Sequence, residues 1–287
     1  MSEKNISLRR QLVYQLIALA ILFIVVFPVL WIFSMALDPR DLARPSSLIP
    51  PGASLKPFEQ AITNPTPNPV TFWELARNSA LLGVGVALFT IVVGTTAAYA
   101  FSRFRFAGRQ AGMLFFVIVL MIPSTATLAA LFVMLNIIIG PALRNSITGV
   151  GIAMVAGALP FAIWNMKGFI DTIPKELEES ALIDGCSPNQ TFWQIMLPLA
   201  VPGLAVTGLY GFMGGWTEFV LSWQFISNPQ WFTLSMALYG MQGQYASSTP
   251  WSKIAAMSII VSIPVVLVFF LLQRYLLSGL TAGGVKG

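Results

Sequence analysis

The sequence predicts an all-α membrane protein of six transmembrane helices with both termini on the cytoplasmic side. Three observations carry this. Of 287 residues, 56% are hydrophobic and 9% charged, against roughly 25% charged in soluble proteins. Mean hydropathy is +0.77. Residues 11–37, 78–102, 110–143, 145–166 and 254–273 carry no charge, and each holds a stretch of about 20 apolar residues, enough to cross a bilayer.

The predicted helices are 11–36, 78–101, 111–136, 147–167, 202–225 and 254–277. The first charge-free run, 11–37, is too long for the roughly 7–15-residue apolar region of a cleaved signal. The fifth helix begins at Pro202 and is interrupted only by Glu218. An even number of crossings puts both ends on one side. Lys4, Arg9, Arg10, Arg103, Arg105, Arg109, Lys167, Lys175, Arg274 and Lys286 fall on that side, against Arg144 and Lys253 in the short loops opposite. The positive-inside rule makes it the cytoplasmic side.

The outer loop 38–76 is rich in proline and should be extended or turn-like. Trp231 to Met241 is an apolar run too short to span, which suits a re-entrant or interfacial segment. Around it lie Trp223, Gln224, Asn228, Tyr239, Gln242, Tyr245 and Trp251. Aromatic faces beside amides suit a sugar or a partner protein, and equally an aromatic belt at headgroup level. Helix five carries Gly203, Gly208, Gly211, Gly214 and Gly215. Such spacing lets backbones approach closely, within the chain or against another subunit. Pro123, Pro160, Pro202 and Pro264 fall in or at the start of spans, where proline promotes kinks.

Glu218 lies about 24 Å along its helix. A carboxylate at mid-membrane costs roughly 2.5–3.5 kcal/mol, so it should face a cavity or a partner. It could serve an ion-coupled secondary transporter, or it could reach the outer interface or cap a neighbouring helix. One cysteine (Cys186) and no histidine exclude disulfides, histidine metal sites and histidine acid–base chemistry. Neither a catalytic nor a metal-binding set is expected. The basic residues are spread over loop ends and do not suggest nucleic acid.

The most informative stretch is the polar island 171–198. Pro174 suits a first helical turn, and Glu176, Glu178 and Glu179 lie near that helix's positive end. Gly185 should stop it, Ser187-Pro188 should start the next, and Phe192, Trp193, Ile195 and Met196 give the second helix an apolar surface. Such a hairpin could simply rest on the headgroups. Its spacing is more specific: Glu179-Ser180-Ala181, three residues, Gly185, nine residues, Ile195-x-Leu197-Pro198. This resembles the E-A-A-x3-G-x9-I-x-L-P loop of ABC-importer permeases, with Ser180 the one departure.

The resemblance runs through the chain, to the smaller permease subunit of maltose-type carbohydrate importers. It includes Phe27-Pro28, Ala97 to Arg103, Trp216-Thr217-Glu218-Phe219 and the tail Gly279 to Gly287. It implies a type I ABC-importer permease fold in a bacterial inner membrane, in which 1–76 is the first helix with its outer loop. Residues 77–287 are the permease core, with a cytoplasmic coupling loop (171–198) and a C-terminal tail (278–287). It further implies a different second permease subunit, an ATPase dimer that holds ATP and Mg, and an extracytoplasmic sugar-binding protein. No Walker motif is present, so hydrolysis belongs to the partner. Glu179, Ser180, Ala181, Asp184, Gly185, Ile195, Leu197 and Pro198 are the expected coupling residues. Gly283, Gly284 and Lys286 are the expected ATPase-contacting tail, although that tail reads as flexible by composition. Glu218, Trp231, Tyr239, Gln242 and Tyr245 are the expected transport-path or binding-protein residues. A non-catalytic membrane scaffold is the remaining reading.

Overall fold

The computed structural model describes residues 7–44, 47–245 and 248–283. Among these, every regular element is helical: α1 (Leu8–Leu37), α2 (Lys56–Thr63), α3 (Phe72–Arg103), α4 (Arg109–Leu120), α5 (Leu128–Ile138), α6 (Gly140–Arg144), α7 (Ile147–Thr172), α8 (Glu176–Ile183), α9 (Pro188–Gln190), α10 (Leu197–Leu199), α11 (Val201–Trp216), α12 (Val220–Phe225), α13 (Leu234–Gly240) and α14 (Trp251–Gly283). Short 3₁₀ turns occupy Ser124–Thr127 and Pro229–Trp231, and a π turn occupies Thr191–Met196.

Four helices are long and apolar enough to span a membrane singly: α1, α3, α7 and α14 up to Leu276. Two more spans qualify only as bent pairs, α4 with Thr125–Ile138 and Pro188–Leu199 with α11, the latter meeting at 75°. The expected straight helices 111–136 and 202–225 are therefore corrected. The first breaks before Pro123, where Met121 and Ile122 donate to carbonyls three residues back. Proline disfavours helical backbone in the residue before it. The second ends at Trp216 and resumes as α12. Pro160 and Pro264 lie inside continuous helices.

The chain forms two compact units, Met1–Pro67 with Leu238–Ser262, and Asn68–Ala237 with Ile263–Gly287. In the first, buried Asp38 caps α1 and accepts from the Arg40 backbone N–H, Nε and Nη2. The Arg40 guanidinium holds the Asp38 carboxyl below the usual carboxylate range. The Ser252 hydroxyl donates to the Asp38 carbonyl at 2.6 Å, and the Ser252 N–H to Asp41 Oδ1 at 2.7 Å. The outer loop is thus tied to the start of α14.

The second unit is built on α3, α7 and α11. A capping box starts α3 early: the Thr71 hydroxyl accepts from the Glu74 N–H while Glu74 accepts from the Thr71 N–H. Hydrophobic transfer does not drive helices together in lipid, so close packing and interhelical hydrogen bonds must. A Cβ on Gly215 would lie 2.7 Å from the Gly83 Cα, and one on Gly211 would lie 2.9 Å from the Ala87 Cα. Gly208, Gly211 and Gly215 of α11 therefore pack inside the chain against α3, and Gly203 against Phe169 of α7. Asn165 Nδ2 donates to Thr207 Oγ1 at 3.0 Å between α7 and α11.

Trp231 to Met241 is too short to be a span by itself and is partly buried. It forms the second 3₁₀ turn's end and α13, with Thr233, Leu234, Met236 and Ala237 buried. Asn78 Nδ2 donates to the carbonyls of Gln230 and Phe232, and Leu234 N–H donates to Ser79 Oγ. The expected flexible tail is likewise corrected as far as Gly283, because α14 continues to that residue. Gly284 and Lys286 lie outside the described residues.

Candidate functional site

The 171–198 segment folds as a hairpin of short helices. Glu176, Glu178 and Glu179 occupy the first turn of α8, where carboxylates meet the positive end of the helix. The helix ends at Gly185, whose φ is +91°. The Gly185 N–H donates to the Leu182 carbonyl at 3.2 Å and the Cys186 N–H to the Ala181 carbonyl at 2.9 Å. This is a Schellman ending, which places a left-handed residue where glycine is favoured. Open space surrounds the glycine, with nothing within 4 Å of a Cβ built there, so the backbone alone selects it.

The second arm starts with a capping box between Ser187 and Gln190 and with Pro188 in the first turn. It widens into the π turn before Pro198. Pro198 has no N–H to give, and its ring would crowd the carbonyl four residues back in a regular helix. Ala181 is 7% exposed where α8 meets the π turn, so the close approach of the two arms needs a small side chain there. Ser180, the departure from the family pattern, points outward, where a hydroxyl is easily accommodated.

Glu179, Asp184 and Gly185 are exposed, Pro198 is exposed, and Ile195 and Leu197 are half-buried. Beside them Ile183 is 85% and Trp193 57% exposed. The hairpin therefore presents acidic and apolar groups together on its outer surface.

What holds the hairpin is a cluster that sequence reasoning passed over. Arg103, the last residue of α3, bonds Glu178 through Nε and the Ile173 carbonyl through Nη2 at 2.9 Å. Tyr99 donates its hydroxyl to Glu178 Oε2 at 3.0 Å, and its ring meets Phe192 edge-on at 4.9 Å. Ser102 donates to Asp171 at 2.5 Å, and Asp171 also receives Lys167 at 2.5 Å. Met196 and Ala200 join Ala98, Ile163, Met166 and Ile170 in one buried cluster. The arms are clamped to the ends of α3 and α7. The clue available in sequence was only the nearness of Arg103 to a loop end and three glutamates in one helical turn.

The expected path residues fall in both compact units. Glu218 and Trp231 belong to the second unit, whereas Tyr239, Gln242 and Tyr245 belong to the first. Trp231 packs against the core containing Leu82 and Met236. Tyr239, Gln242 and Tyr245 are exposed. Glu218 is 9% exposed and caps α12: its oxygens accept from the Leu221 N–H at 2.7 Å, the Ser222 N–H at 2.8 Å and the Ser222 hydroxyl at 2.5 Å. These three hydrogen bonds give Glu218 a helix-capping role, and nothing among the described residues around it supports an ion-coupled one.

Comparisons with known proteins agree with this architecture. Residues 90–281 match the family described as "Binding-protein-dependent transport system inner membrane component". The galactooligosaccharides transport system permease protein GanQ of Bacillus subtilis is 34% identical over 92% of this chain and 91% of its own length. The maltose/maltodextrin transport system permease protein MalG of Vibrio vulnificus is 33% identical over 93% of each chain. The diacetylchitobiose uptake system permease protein DasC of Streptomyces coelicolor is 32% identical over 93% of this chain and 94% of its own. In fold, a chain of a bacterial ABC transporter importing the acidic polysaccharide alginate superposes with a TM-score of 0.75 at 19% identity, covering 96% of this chain and 98% of that one. The protein belongs to the binding-protein-dependent transport system inner membrane component family and is a multi-pass permease subunit of an ABC importer.

Proposed function

We propose that this chain is the permease subunit of an importer of an oligosaccharide or disaccharide, pairing with a different permease subunit and taking its sugar from an extracytoplasmic binding protein. Residues 171–198 lie in the cytoplasm and dock on one subunit of an ATPase dimer, which holds the ATP and Mg. The observation that carries this reading is the hairpin itself: rigidly clamped to α3 and α7, yet exposing Glu179, Asp184, Ile183 and Trp193 outward. The relatives named above transport galactooligosaccharides, maltodextrins and diacetylchitobiose, which supports a carbohydrate cargo.

Closure of the ATPase dimer pushes the hairpins, and the clamp passes the movement to α3 and α7. ATP shifts the balance only by binding the two transporter states with different affinity. Gly283, Gly284 and Lys286 extend this contact to the ATPase interface. Tyr239, Gln242 and Tyr245 meet the binding protein outside, and Glu218 and Trp231 support the path wall.

Gly185→Val and Glu179→Lys test the coupling site. A side chain in left-handed backbone costs roughly 1–2 kcal/mol, more when β-branched. Both variants should insert normally, lose ATPase subunit on purification and lose sugar uptake. Wild-type uptake by both variants would remove the coupling role.

A further inference from the structure

The two interrupted helices border one cavity. It has a volume of about 490 Å³ and lies wholly within the second unit. Thr125 and Thr127 line it from the 3₁₀ turn after the Pro123 break, and Thr217 and Glu218 from the gap between α11 and α12. Tyr210 and Met154 complete the wall. Irregular backbone at membrane depth is tolerated where it is buried in protein or lines a water-filled cavity. Interrupted helices in transporters commonly mark the place where substrate binds.

The lining chemistry narrows the ligand. Tyr210 lies nine residues into α11, about 14 Å along its axis, and its residue is 52% exposed. Among the described residues neither the Tyr210 hydroxyl nor the Thr125 hydroxyl has a hydrogen-bond partner in the chain. Both residues are exposed, which leaves their hydroxyls open to water or a ligand. Thr217 donates to the Met213 carbonyl at 2.8 Å and keeps its oxygen as an acceptor. No lysine or arginine lines the wall, and its one carboxylate already takes three donors. The Tyr210 ring packs on Phe161 with centroids 4.4 Å apart, which steadies a flat aromatic wall. Hydroxyls without free charge, beside an aromatic face, match a neutral sugar ring. The volume falls within the roughly 300–1,000 Å³ of small-molecule sites.

We infer that this cavity is a sugar subsite contributed by this chain to the transport path, with Tyr210, Thr217 and Thr125 as its polar contacts. This goes beyond the proposed function and rests on its carbohydrate reading. The site holds a neutral pyranose by exchanging hydroxyl hydrogen bonds, and it offers no charge to an acidic sugar or a cation.

The test uses the complete transporter in lipid with Cys186 replaced by serine. Thr217→Cys and Tyr210→Cys are treated with a charged, membrane-impermeant methanethiosulfonate, with Phe89→Cys on the apolar face of α3 as control. Both cavity cysteines should react at least about tenfold faster than the control. Maltose or galactobiose, whichever the complex imports, should slow that reaction several-fold. In parallel, Tyr210→Phe should lower sugar imported per ATP hydrolysed. Labelling no faster than the control would mean that lipid fills the cavity and would overturn the site. Fast labelling without sugar protection, together with wild-type import by Tyr210→Phe, would reduce it to a water vestibule and also overturn it. Wild-type uptake separates the two ideas: no uptake of either sugar sinks the carbohydrate reading and this site with it, whereas uptake without protection sinks only the site.

Discussion

Arg103 and Glu178 are 7% and 12% exposed in their side chains, and each has a second partner. Removing one member of such a pair leaves the other charge with little solvent, which costs about 3–5 kcal/mol in buried pairs. Arg103→Ala should therefore lower thermal stability and release the ATPase subunit. Arg103→Ala combined with Glu178→Ala should cost less than the sum of the two single variants. A double-mutant cycle on melting temperature in detergent measures this, with a coupling of about 1–3 kcal/mol expected. Strict additivity would mean that the pair does not hold the hairpin.

The element that separates packing from solvation most clearly is α11. Gly215 faces the α3 backbone, whereas a Cβ on Gly214 would find its nearest neighbour, the Met154 methyl, at 3.9 Å. Gly215→Ala should cost about 1–3 kcal/mol by overpacking, and Gly214→Ala under about 0.5 kcal/mol. Equal melting temperatures for the two would refute the tight α3–α11 seam. Beyond the break, Glu218 caps α12. Glu218→Gln keeps an acceptor, while Glu218→Leu strands two backbone donors and a hydroxyl at about 1–3 kcal/mol each. Uptake should survive Gln better than Leu and be insensitive to an uncoupler at constant ATP. Loss of uptake in Gln alone, with collapse of wild-type uptake on uncoupling, would return an ion-coupled role to this carboxylate.

For the whole molecule, the proposed orientation rests on the distribution of cations, because lysine and arginine in short loops resist translocation. Ile183 and Tyr245 are 85% and 67% exposed and serve as reporters. In a Cys186→Ser background, Ile183→Cys should react with an impermeant thiol reagent only from the cytoplasmic face. Tyr245→Cys should react only from outside. Labelling of both from one side would invert or abolish the proposed placement of the coupling hairpin.

The sequence by itself determined the four unbroken spans, α1, α3, α7 and α14, because a charge-free run of membrane-spanning length must satisfy its backbone internally, but not the breaks within the other two. It determined the hairpin too, since Pro174, Gly185, Ser187 and Pro188 act on their own turns. The left-handed Gly185 is a local requirement and was legible as one. Tertiary structure alone decided which neighbour each face meets. Gly211 and Gly215 of α11 could have packed on another subunit, but the Gly83–Ala87 backbone fills that space. Trp231 to Met241 was too short to span and too apolar for water, and its start is held by segments some 150 residues away: Asn78 donates to the Gln230 and Phe232 carbonyls, and the Ser79 hydroxyl accepts from the Leu234 N–H. Glu218 had three possible partners in sequence, and only the break in its helix brought the Leu221 and Ser222 donors to its oxygens. Glu178 was one of three similar glutamates until α3 set Tyr99 and Arg103 beside it. Local steric and hydrogen-bonding rules act over a few residues, whereas the choice among partners is made by chain segments that meet only on folding.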